Sequence, residues 1–433
     1  MTARDHDQIV RSPGFVYRRA RGARTSLFCE RVDLAQLAAR HGTPLYVYSS
    51  ETIRTRLHGF HKAFDAVPHT VCYSVKANST LAILRLVAGE RVGFDVVSGG
   101  ELERVLRAAP RAARKVVFSG VGKTVPEIEL ALKSGVLLFN VESSSELRAL
   151  ADTAARLGKK ASIALRVNPD VSAKTHPYIS TGLHEHKFGV PIAEAHRLYA
   201  EAGRDSNLRV AGVSVHIGSQ ITDLSSFTDA LFRVAGLVRE LRTAGHTIEY
   251  VDAGGGLGIP YQPTATPFDE QLTAYAKAVL EPLRKLEVHL LLEPGRSIVG
   301  SAGVLLARVL YRKTNHGKRF LIVDAAMNDL LRPSLYGAYH EIVPVERLLT
   351  SEGETTDVVG PICETGDFLA RERQLPVMRE GDLLAILDAG AYGSSLSSNY
   401  NTRGRAAEVL VDGPGSRVIR KRESAVDQMR LER

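Results

Sequence analysis

The sequence predicts an α/β protein with a (β/α)8 barrel followed by a domain of β-strands. Between about residues 71 and 296, short apolar runs rich in β-branched residues alternate with amphipathic stretches of helical periodicity. This alternation is typical of a parallel sheet covered by helices. The stretch contains eight such runs in about 225 residues, which fits the strand count and length of a barrel. A doubly wound open sheet shares the alternation and is the structural alternative.

The predicted barrel strands are apolar almost throughout, as expected for strands that are buried on both faces. In chain order they are 71–75, 93–97, 115–119, 136–141, 162–167, 210–217, 248–253 and 288–292. The predicted helices lie between them, at 81–88, 100–109, 125–134, 144–157, 192–202, 224–244 and 268–286. Beyond Ser297 the helical periodicity fades, and short runs at 303–311, 319–323, 382–387 and 407–411 predict strands of a second domain.

Composition and charge place the chain among ordinary globular proteins. Of its 433 residues, 44% are hydrophobic and 24% are charged, which is enough for two or three domains of roughly 100 to 250 residues. The formal charge is +8, but the basic residues are dispersed without interleaved aromatic residues, so nucleic-acid binding is disfavoured. A general positive field instead suits a small acidic substrate.

Cysteine usage and apolar run lengths restrict the location of the protein and the kinds of site it can contain. Cys29, Cys72 and Cys363 are few, widely spaced and odd in number, which favours a reducing compartment and hence a cytoplasmic protein. Their spacing does not match a zinc site, and no metal is predicted. The apolar runs are far shorter than the roughly 18 residues that span a bilayer, so no membrane association is predicted. The arginine-rich residues 1–26 lack the apolar core of a secretory signal, which predicts a solvated extension.

Polar residues collect where the predicted strands end, which is where barrels of this class place their active sites. The ends of six strands carry, in chain order, Lys76, Asp95 with Ser98, Arg166 with Asn168, His216 with Ser219, Asp252 with Gly254, Gly255 and Gly256, and Glu293 with Gly295 and Arg296. Each residue alone has a structural explanation, because glycines form turns and a histidine or arginine at a strand end is usually structural or solvated. Their accumulation at one rim indicates a functional site.

Three of these features together predict a cofactor. Lys76 closes an apolar run, where desolvation lowers the pKa of an amine toward nucleophilic chemistry, although a solitary lysine past a strand is more often a surface residue. The glycine-rich turns at 254–256 and 295–296 are typical of a phosphate site. With Glu293 as a carboxylate for a ring nitrogen, these are the parts that pyridoxal 5'-phosphate requires.

Five segments resemble the motifs of the fold-type III pyridoxal-phosphate decarboxylases. They are YSVKAN at 73–78, HIGSQ at 216–220, EPGR at 293–296, GPICE at 360–364 and DAGAYG at 388–393. Within that group they are most similar to the diaminopimelate decarboxylase family, with every motif in family order from about residue 30 to 430. The resemblance implies three segments: 1–45, contributing a strand to the β domain; 46–296, the cofactor-binding barrel; and 297–433, a β-sandwich or β-barrel-like domain.

The resemblance also implies roles for individual residues. Lys76 would carry the cofactor covalently, His216 would stack on its ring and Glu293 would hold its ring nitrogen. The remaining contacts to the cofactor would come from Asp95, Arg166, Ser219, Gly254, Gly255, Gly256, Gly295, Arg296 and Tyr392.

Two residues would reach the site from a second subunit, which would make a homodimer with shared active sites obligatory. Cys363 would donate a proton and Glu364 would contact the substrate. A buried, inert thiol is the commoner state of an unpaired cysteine. The position of Cys363 in a loop beside an acidic residue favours function instead.

The activity that the resemblance implies is decarboxylation of meso-2,6-diaminopimelate to L-lysine and carbon dioxide, the last step of lysine biosynthesis. Arg332 presents a planar fork to a carboxylate, and with Arg296 and the Tyr336 hydroxyl it would bind the far end of the substrate. Tyr392 would be a further contact to the substrate. An exposed arginine in a proline-containing loop is the alternative for Arg332.

Three other functions stay open. The chain could decarboxylate another amino acid with an acidic or acyl tail, or it could be a non-catalytic cofactor-binding homologue. A racemase is the third, and it would not account for Cys363 and Glu364. The long connection 170–189 is predicted to be either a lid over the site or a disordered excursion.

Overall fold

The computed structural model describes residues 14–19, 25–171, 187–262, 266–347 and 353–432. The predicted lid at 170–189 falls largely on residues 172–186, which lie outside this described part. The chain folds into two compact units. The first, here called the β unit, comprises the described residues within 1–55, 260–265 and 298–433, and the second, the barrel unit, comprises those within 56–259 and 266–297. The predicted domain limits at residues 45 and 296 stay a prediction.

The N-terminal part contributes four strands and two helices. These are β1 (Phe15–Arg19), β2 (Thr25–Cys29), β3 (Val32–Asp33), α1 (Leu34–His41), β4 (Leu45–Ser49) and α2 (Ser50–Ala63). β1 pairs antiparallel with β2. Phe15 and Tyr17 are buried while Val16 is partly buried and Arg18 is exposed, because successive side chains of a strand point to opposite faces. Arg19, the last residue of the strand, is also exposed. The prediction of a solvated extension over 1–26 is therefore wrong for 15–19 and also for 25–26, which begin β2 and include the buried Ser26.

The barrel unit alternates parallel strands with helices. Its elements are β5 (His69–Ser74), α3 (Leu81–Ala88), β6 (Gly93–Val96), α4 (Gly99–Ala108), β7 (Val116–Phe118), α5 (Val125–Ser134), β8 (Leu138–Val141), α6 (Ser144–Leu157), β9 (Ala161–Asn168), β10 (Val190–Pro191), α7 (Ile192–Arg204), β11 (Leu208–Val215), α8 (Ser225–Thr243), β12 (Tyr250–Asp252), α9 (Phe268–Leu283) and β13 (His289–Leu292).

Closure of the sheet distinguishes the barrel from the open-sheet alternative. β13 pairs in parallel with β5, placing Leu292 opposite Val71, and β8 pairs in parallel with β9, placing Phe139 opposite Ile163. The eight strands β5, β6, β7, β8, β9, β11, β12 and β13 therefore form one closed parallel ring, and the predicted (β/α)8 barrel is confirmed. All eight strands end at the same rim, so the residues that follow them lie together.

The C-terminal part is built mainly of strands. Its elements are α10 (Arg296–Val299), β14 (Gly303–Asn315), β15 (Lys318–Val323), α11 (Arg332–Tyr336), β16 (Ile342–Pro344), β17 (Glu346–Arg347), β18 (Gly353–Val359), β19 (Phe368–Pro376), β20 (Leu383–Ile386), β21 (Ala407–Asp412), β22 (Gly415–Arg420) and α12 (Ala425–Met429). β4 lies between β14 and β21 in the main sheet of the β unit, and β17 joins β2 in a smaller one. The predicted β domain with an N-terminal strand is thereby confirmed.

Candidate active site

Lys76 lies in a single 3-10 turn, Val75–Ala77, that follows β5 directly. Its side chain is 35% exposed, and its Nζ donates to Oδ2 of Asp95 at 3.2 Å. The Tyr73 hydroxyl donates to the Asn78 carbonyl oxygen at 3.0 Å, which ties the turn back to the strand. The amine is therefore held at the carboxyl end of the barrel beside a carboxylate.

Asp95 on β6 is the partner of this amine and is fully buried. Its Oδ2 also accepts from the Ser74 hydroxyl at 2.6 Å. Within the described part of the chain, Oδ1 of Asp95 is buried without a hydrogen-bond partner. Buried polar atoms are normally satisfied, so an unsatisfied acceptor beside an amine is expected where a polar ligand completes the site.

Asp252 and Glu293, at the ends of β12 and β13, form a buried carboxyl pair. Nδ2 of Asn140 lies 2.6 Å from Asp252 Oδ2 and 3.5 Å from Glu293 Oε1, and the Ser119 hydroxyl lies 3.3 Å from Glu293 Oε1. Burial and the charge of Asp252 raise the pKa of Glu293 well above its usual value, and burial also raises the pKa of Asp252. Two such carboxyls share one proton. A cation placed against Glu293 would displace that proton and be stabilised by the carboxylate.

His216 follows β11 and is held by the glycine turn of the next strand. The Gly255 N–H donates to His216 Nδ1 at 3.1 Å. Burial, followed by the charges of Lys76 and Arg166, lowers the pKa of His216 well below its usual value. The imidazole is therefore neutral, and since Nδ1 accepts, its proton is on Nε2. A neutral ring can stack on another ring without adding positive charge.

Arg166 on β9 joins the backbone of His216 to a buried acid. Its Nη1 donates to Glu142 Oε1 at 3.1 Å and its Nη2 donates to the His216 carbonyl oxygen at 3.3 Å. Glu142 also accepts from the backbone N–H groups of Gly120, at 3.1 Å, and Gly189, at 3.0 Å. The pair of Arg166 and Glu142 therefore connects loops that follow four strands, and fixes the strand end that carries His216.

The glycines after β12 permit close approach between strand ends. Gly254 and Gly256 have φ of +68° and +110°, a region that other residues rarely adopt. A Cβ on Gly255 would lie 2.1 Å from the Glu293 carbonyl oxygen. The Gly254 N–H donates to Asp252 Oδ1 at 2.9 Å, and the Gly255 N–H is bound to His216. In this conformation both N–H groups have protein acceptors, and their contact to a phosphate stays a prediction.

Arg296 and Ser219 meet at the same rim. Arg296 is buried, and its Nη2 donates to the Ser219 hydroxyl at 3.0 Å. Gly295 packs against the turn of Lys76, because a Cβ there would lie 3.0 Å from the β-carbons of Ala77 and Ser74. The loop after β13 therefore lies directly beside the turn that carries the amine.

The remaining predicted site residues belong to the β unit. Arg332 begins α11 and is buried. Its Nη1 donates to His340 Nε2 at 2.7 Å, and its guanidinium lies 4.5 Å from the Tyr261 ring centroid. His340 Nδ1 donates in turn to the Leu387 carbonyl oxygen at 2.8 Å. Arg332 is therefore a fixed side chain, unlike the exposed loop arginine of the alternative interpretation.

Tyr336, Cys363, Glu364 and Tyr392 are more accessible. Tyr336, at the end of α11, and Tyr392 are partly exposed, whereas Cys363 and Glu364 are exposed. Tyr392 has a φ of +56°, which is uncommon for a residue other than glycine. The three cysteines are free thiols, and Cys363 is the exposed one.

Comparison with known proteins identifies the family. Residues 50–300 match the family model described as the pyridoxal binding domain of pyridoxal-dependent decarboxylases. Diaminopimelate decarboxylase from Neisseria meningitidis serogroup A is 52% identical over 404 residues, covering 93% of this chain and 98% of that protein. The enzyme of that name from Pseudomonas aeruginosa is 53% identical over 398 residues, covering 92% and 94%.

The chain belongs to the diaminopimelate decarboxylase family of pyridoxal-dependent decarboxylases.

Solved structures of this family agree with the fold. The Helicobacter pylori diaminopimelate decarboxylase complexed with L-lysine matches with a TM-score of 0.87 and 44% identity, over 92% of this chain and 99% of that one. The M. jannaschii enzyme, also in complex with L-lysine, matches with a TM-score of 0.90 and 39% identity, over 96% and 97%. The predicted enzyme class and the predicted cofactor, pyridoxal 5'-phosphate, are both confirmed by the family.

The described residues of this family member fit the cofactor. The amine of Lys76 suits the aldehyde of pyridoxal 5'-phosphate and the proton-sharing Glu293 suits its ring nitrogen, while Oδ1 of Asp95 is a buried, unsatisfied acceptor beside that amine. Among the described residues, no cluster of three or more His, Cys, Asp or Glu is arranged to hold a metal ion. Within those same residues, no helix is both long and apolar enough to cross a bilayer.

Several polar residues near the candidate site were not recognised in the sequence, and all of them lie on or after the third and fourth barrel strands. Ser119 and Asn140 contact the carboxyl pair. Lys123 is buried, with 1% of its side chain exposed, and its Nζ donates to Glu146 Oε1 at 2.7 Å. Glu146 in turn accepts from the Glu142 N–H at 2.9 Å. The rule that sites collect at strand ends, applied to these two strands, would have found Ser119 and Asn140.

Replacing Lys123 with methionine tests whether this buried ion pair supports the barrel rim. The Lys123→Met change keeps the aliphatic stem but leaves Glu146 buried without its cation. We expect the free energy of unfolding of the cofactor-free protein to fall by about 3 kcal/mol, measured by urea titration. Lys133→Met is the matched control, because Lys133 forms an exposed pair with Glu129 and such pairs contribute little. Equal free energies of unfolding for Lys123→Met and wild type would show that this ion pair does not stabilise the barrel rim.

Proposed function

We propose that this chain decarboxylates meso-2,6-diaminopimelate to L-lysine and carbon dioxide, the last step of lysine biosynthesis. The observation that carries the proposal is the 52% identity to a diaminopimelate decarboxylase over 93% of this chain. The buried, oriented guanidinium of Arg332 supports the same substrate, because it suits a second carboxylate.

We assign the cofactor contacts as follows. Lys76 would carry the cofactor covalently, His216 would lie against its ring and Glu293 would bind its ring nitrogen. Asp95 and Arg166 stabilise these residues through the contacts described above. The phosphate would be held by residues of the glycine turns and their neighbours, namely Ser219, Gly254, Gly255, Gly256, Gly295, Arg296 and Tyr392.

The chain's residues then control protons and charge. When bound, pyridoxal 5'-phosphate supplies an electron-accepting ring that receives the electron pair released as the bond to the departing carboxylate breaks. Ionised Glu293 would stabilise a protonated ring nitrogen, and neutral His216 would add no further positive charge beside the ring. Cys363, or Lys76, returns a proton to the carbon that has lost carbon dioxide.

Substrate selection depends on residues that bind the two ends of the substrate. Arg332, with Arg296 and the hydroxyls of Tyr336 and Tyr392, binds the carboxylate that is retained. Glu364 contacts the amino-bearing carbon. A decarboxylase that forms a diamine would require an acidic group in place of Arg332. The arginine at this position therefore supports a substrate with two carboxylates.

We also propose a cytoplasmic homodimer with shared active sites. The exposed positions of Cys363 and Glu364 support the dimer, because residues with these roles have to be covered by another surface during reaction. Three unpaired cysteines support a reducing compartment. Sedimentation of the purified chain in the presence of the cofactor tests the assembly.

An assay of carbon dioxide and L-lysine released from meso-diaminopimelate, with and without added pyridoxal 5'-phosphate, tests the activity. We expect both products in equal amounts and a dependence on the cofactor. Faster turnover of another amino acid with an acidic or acyl tail would reassign the substrate, and no release of carbon dioxide from any of them would show a non-catalytic homologue.

Replacing Arg332 tests substrate recognition. We expect Arg332→Ala to lower kcat/KM for diaminopimelate by about 10²-fold, mainly through KM, because the buried charge pair with the substrate carboxylate is lost. Arg332→Lys keeps the charge but loses the planar fork, so we expect an intermediate value. Arg371→Ala, a change of an exposed strand arginine, is the control and should leave KM unaltered. An unchanged KM in Arg332→Ala would place the substrate carboxylate elsewhere.

A further inference from the structure

The loop that carries Cys363 and Glu364 is contacted by an exposed turn of the β unit. The Cys363 backbone N–H donates to Oδ1 of Asn401 at 2.9 Å. Asn401 lies in the 3-10 turn Tyr400–Thr402 and has φ 54° and ψ 29°, a left-handed conformation that asparagine tolerates better than most residues. The amide oxygen is thus directed at the residue to which the proposed function assigns proton donation.

The neighbouring residue of this turn, Tyr400, interacts electrostatically with the second functional side chain. The Glu364 carboxylate raises the pKa of Tyr400. Tyr400 is 43% exposed, so burial in a core does not explain its position. The hydrogen bond between the Cys363 N–H and Asn401 is therefore the contact by which this turn holds the loop that carries Cys363 and Glu364.

Both segments are anchored to the same stretch of backbone. Asp367, at the end of the loop that carries Cys363 and Glu364, accepts from the N–H groups of Ile362 and Met327, each at 2.7 Å. On the other side, the Ser398 N–H donates to the Asn328 carbonyl oxygen at 2.9 Å. The stems of the loop and of the turn are thus fixed together, which allows the turn to define where the loop tip lies.

We propose that Asn401 is a positioning residue that holds the loop carrying the Cys363 thiol and the Glu364 carboxylate in its reactive placement. This inference rests on the proposed function, which assigns reaction roles to those two side chains. Asn401 acts on the backbone at Cys363, the residue that precedes Glu364.

The Asn401→Gly variant of the cofactor-loaded enzyme isolates the hydrogen bond. Glycine adopts a φ of 54° without strain, so the change removes the acceptor and preserves the turn. We expect kcat to fall about tenfold with KM within about twofold, because a displaced proton donor acts on the reaction more than on binding. Asn401→Asp keeps an oxygen acceptor and should recover most of the lost rate.

Alkylation of Cys363 gives a second readout that does not depend on turnover. Cys29 and Cys72 are buried, and burial raises the pKa of both thiols well above the usual value, so iodoacetamide reports on the exposed Cys363. A loop released from its anchor opens more often, and we expect alkylation in Asn401→Gly to be at least about twofold faster than in wild type.

Thr402→Gly is the matched control, because Thr402 lies in the same turn with a φ of +56°. It should match wild type in kcat and in alkylation rate. Wild-type values of both quantities in Asn401→Gly would overturn the proposal, as would a lower kcat with an unchanged alkylation rate, which would place the effect away from Cys363. If wild type releases no carbon dioxide, the proposed function fails, and the alkylation rate alone decides whether Asn401 holds the loop.

Discussion

Lys76→Ala is expected to abolish turnover, with kcat reduced by at least about 10³-fold, because a methyl group cannot form the covalent bond on which the chemistry depends. The visible absorbance that arises from the bond between Lys76 and the cofactor should also disappear. The variant lacks the amine that lies 3.2 Å from Asp95 in the wild-type protein. It should therefore bind the cofactor only non-covalently. Steady-state kinetics and an absorbance spectrum of the purified variant measure both effects.

Lys115→Ala is the control for this experiment. Lys115 is exposed and immediately precedes β7, at the end of the barrel opposite to Lys76. We expect this variant to keep its absorbance and its kcat. Turnover of Lys76→Ala at the wild-type rate would show that residue 76 is not the attachment point.

Glu293→Gln is expected to lower kcat by about 10² to 10³-fold with the fold intact. Glutamine resembles the protonated acid and can still donate to Asp252, but it cannot stabilise a protonated ring nitrogen. The loss is of the size that a single electrostatic contact to developing charge contributes. Glu129→Gln, which changes a partly exposed acid on an outer helix, is the control and should keep the wild-type kcat. A Glu293→Gln enzyme with wild-type kcat would contradict the role of this carboxylate.

The same substitution has a pH-dependent effect on the cofactor-free protein. The pKa of Glu293 is raised well above the usual 4.5 in the folded state, chiefly by burial, so the folded chain binds a proton that the unfolded chain releases above pH 4.5. Stability then falls as pH rises from 4.5 toward the folded pKa. We expect urea unfolding to show this decline in wild type and a smaller one in Glu293→Gln. Identical pH profiles would show that Glu293 does not hold the proton.

The barrel could be predicted from sequence because its local signals agree with each other. α5 and α6 begin and end at the predicted residues 125–134 and 144–157. Thr124 and Ser143 precede them as N-caps, and Gly135 and Gly158 end them in left-handed conformations, which are signals that depend on neighbouring residues only. The strands are buried on both faces, so they could be predicted from their apolar runs without knowledge of the tertiary fold.

The missed features depend on tertiary contacts. Lys123 follows a strand like any surface lysine, and its burial results from bonds to Gly120, Asn140 and Glu146 that separate segments supply. The strand at Phe15–Arg19 was not predicted because arginines dominate the composition of that segment. Its large apolar residues Phe15 and Tyr17 are nevertheless spaced two apart, as a half-buried strand requires. The positions of Cys363 and Arg332 in the site came from resemblance to a family, and their roles stay predictions.

The central claim is that the amine of Lys76 carries pyridoxal 5'-phosphate, and reductive labelling tests it most directly. Borohydride treatment of the cofactor-loaded enzyme makes the attachment permanent, and mass spectrometry of its peptides locates the modified lysine. The account predicts a single modified peptide, with the label on Lys76. A label on a different lysine, or no label on an enzyme that is fully loaded and active, would contradict it.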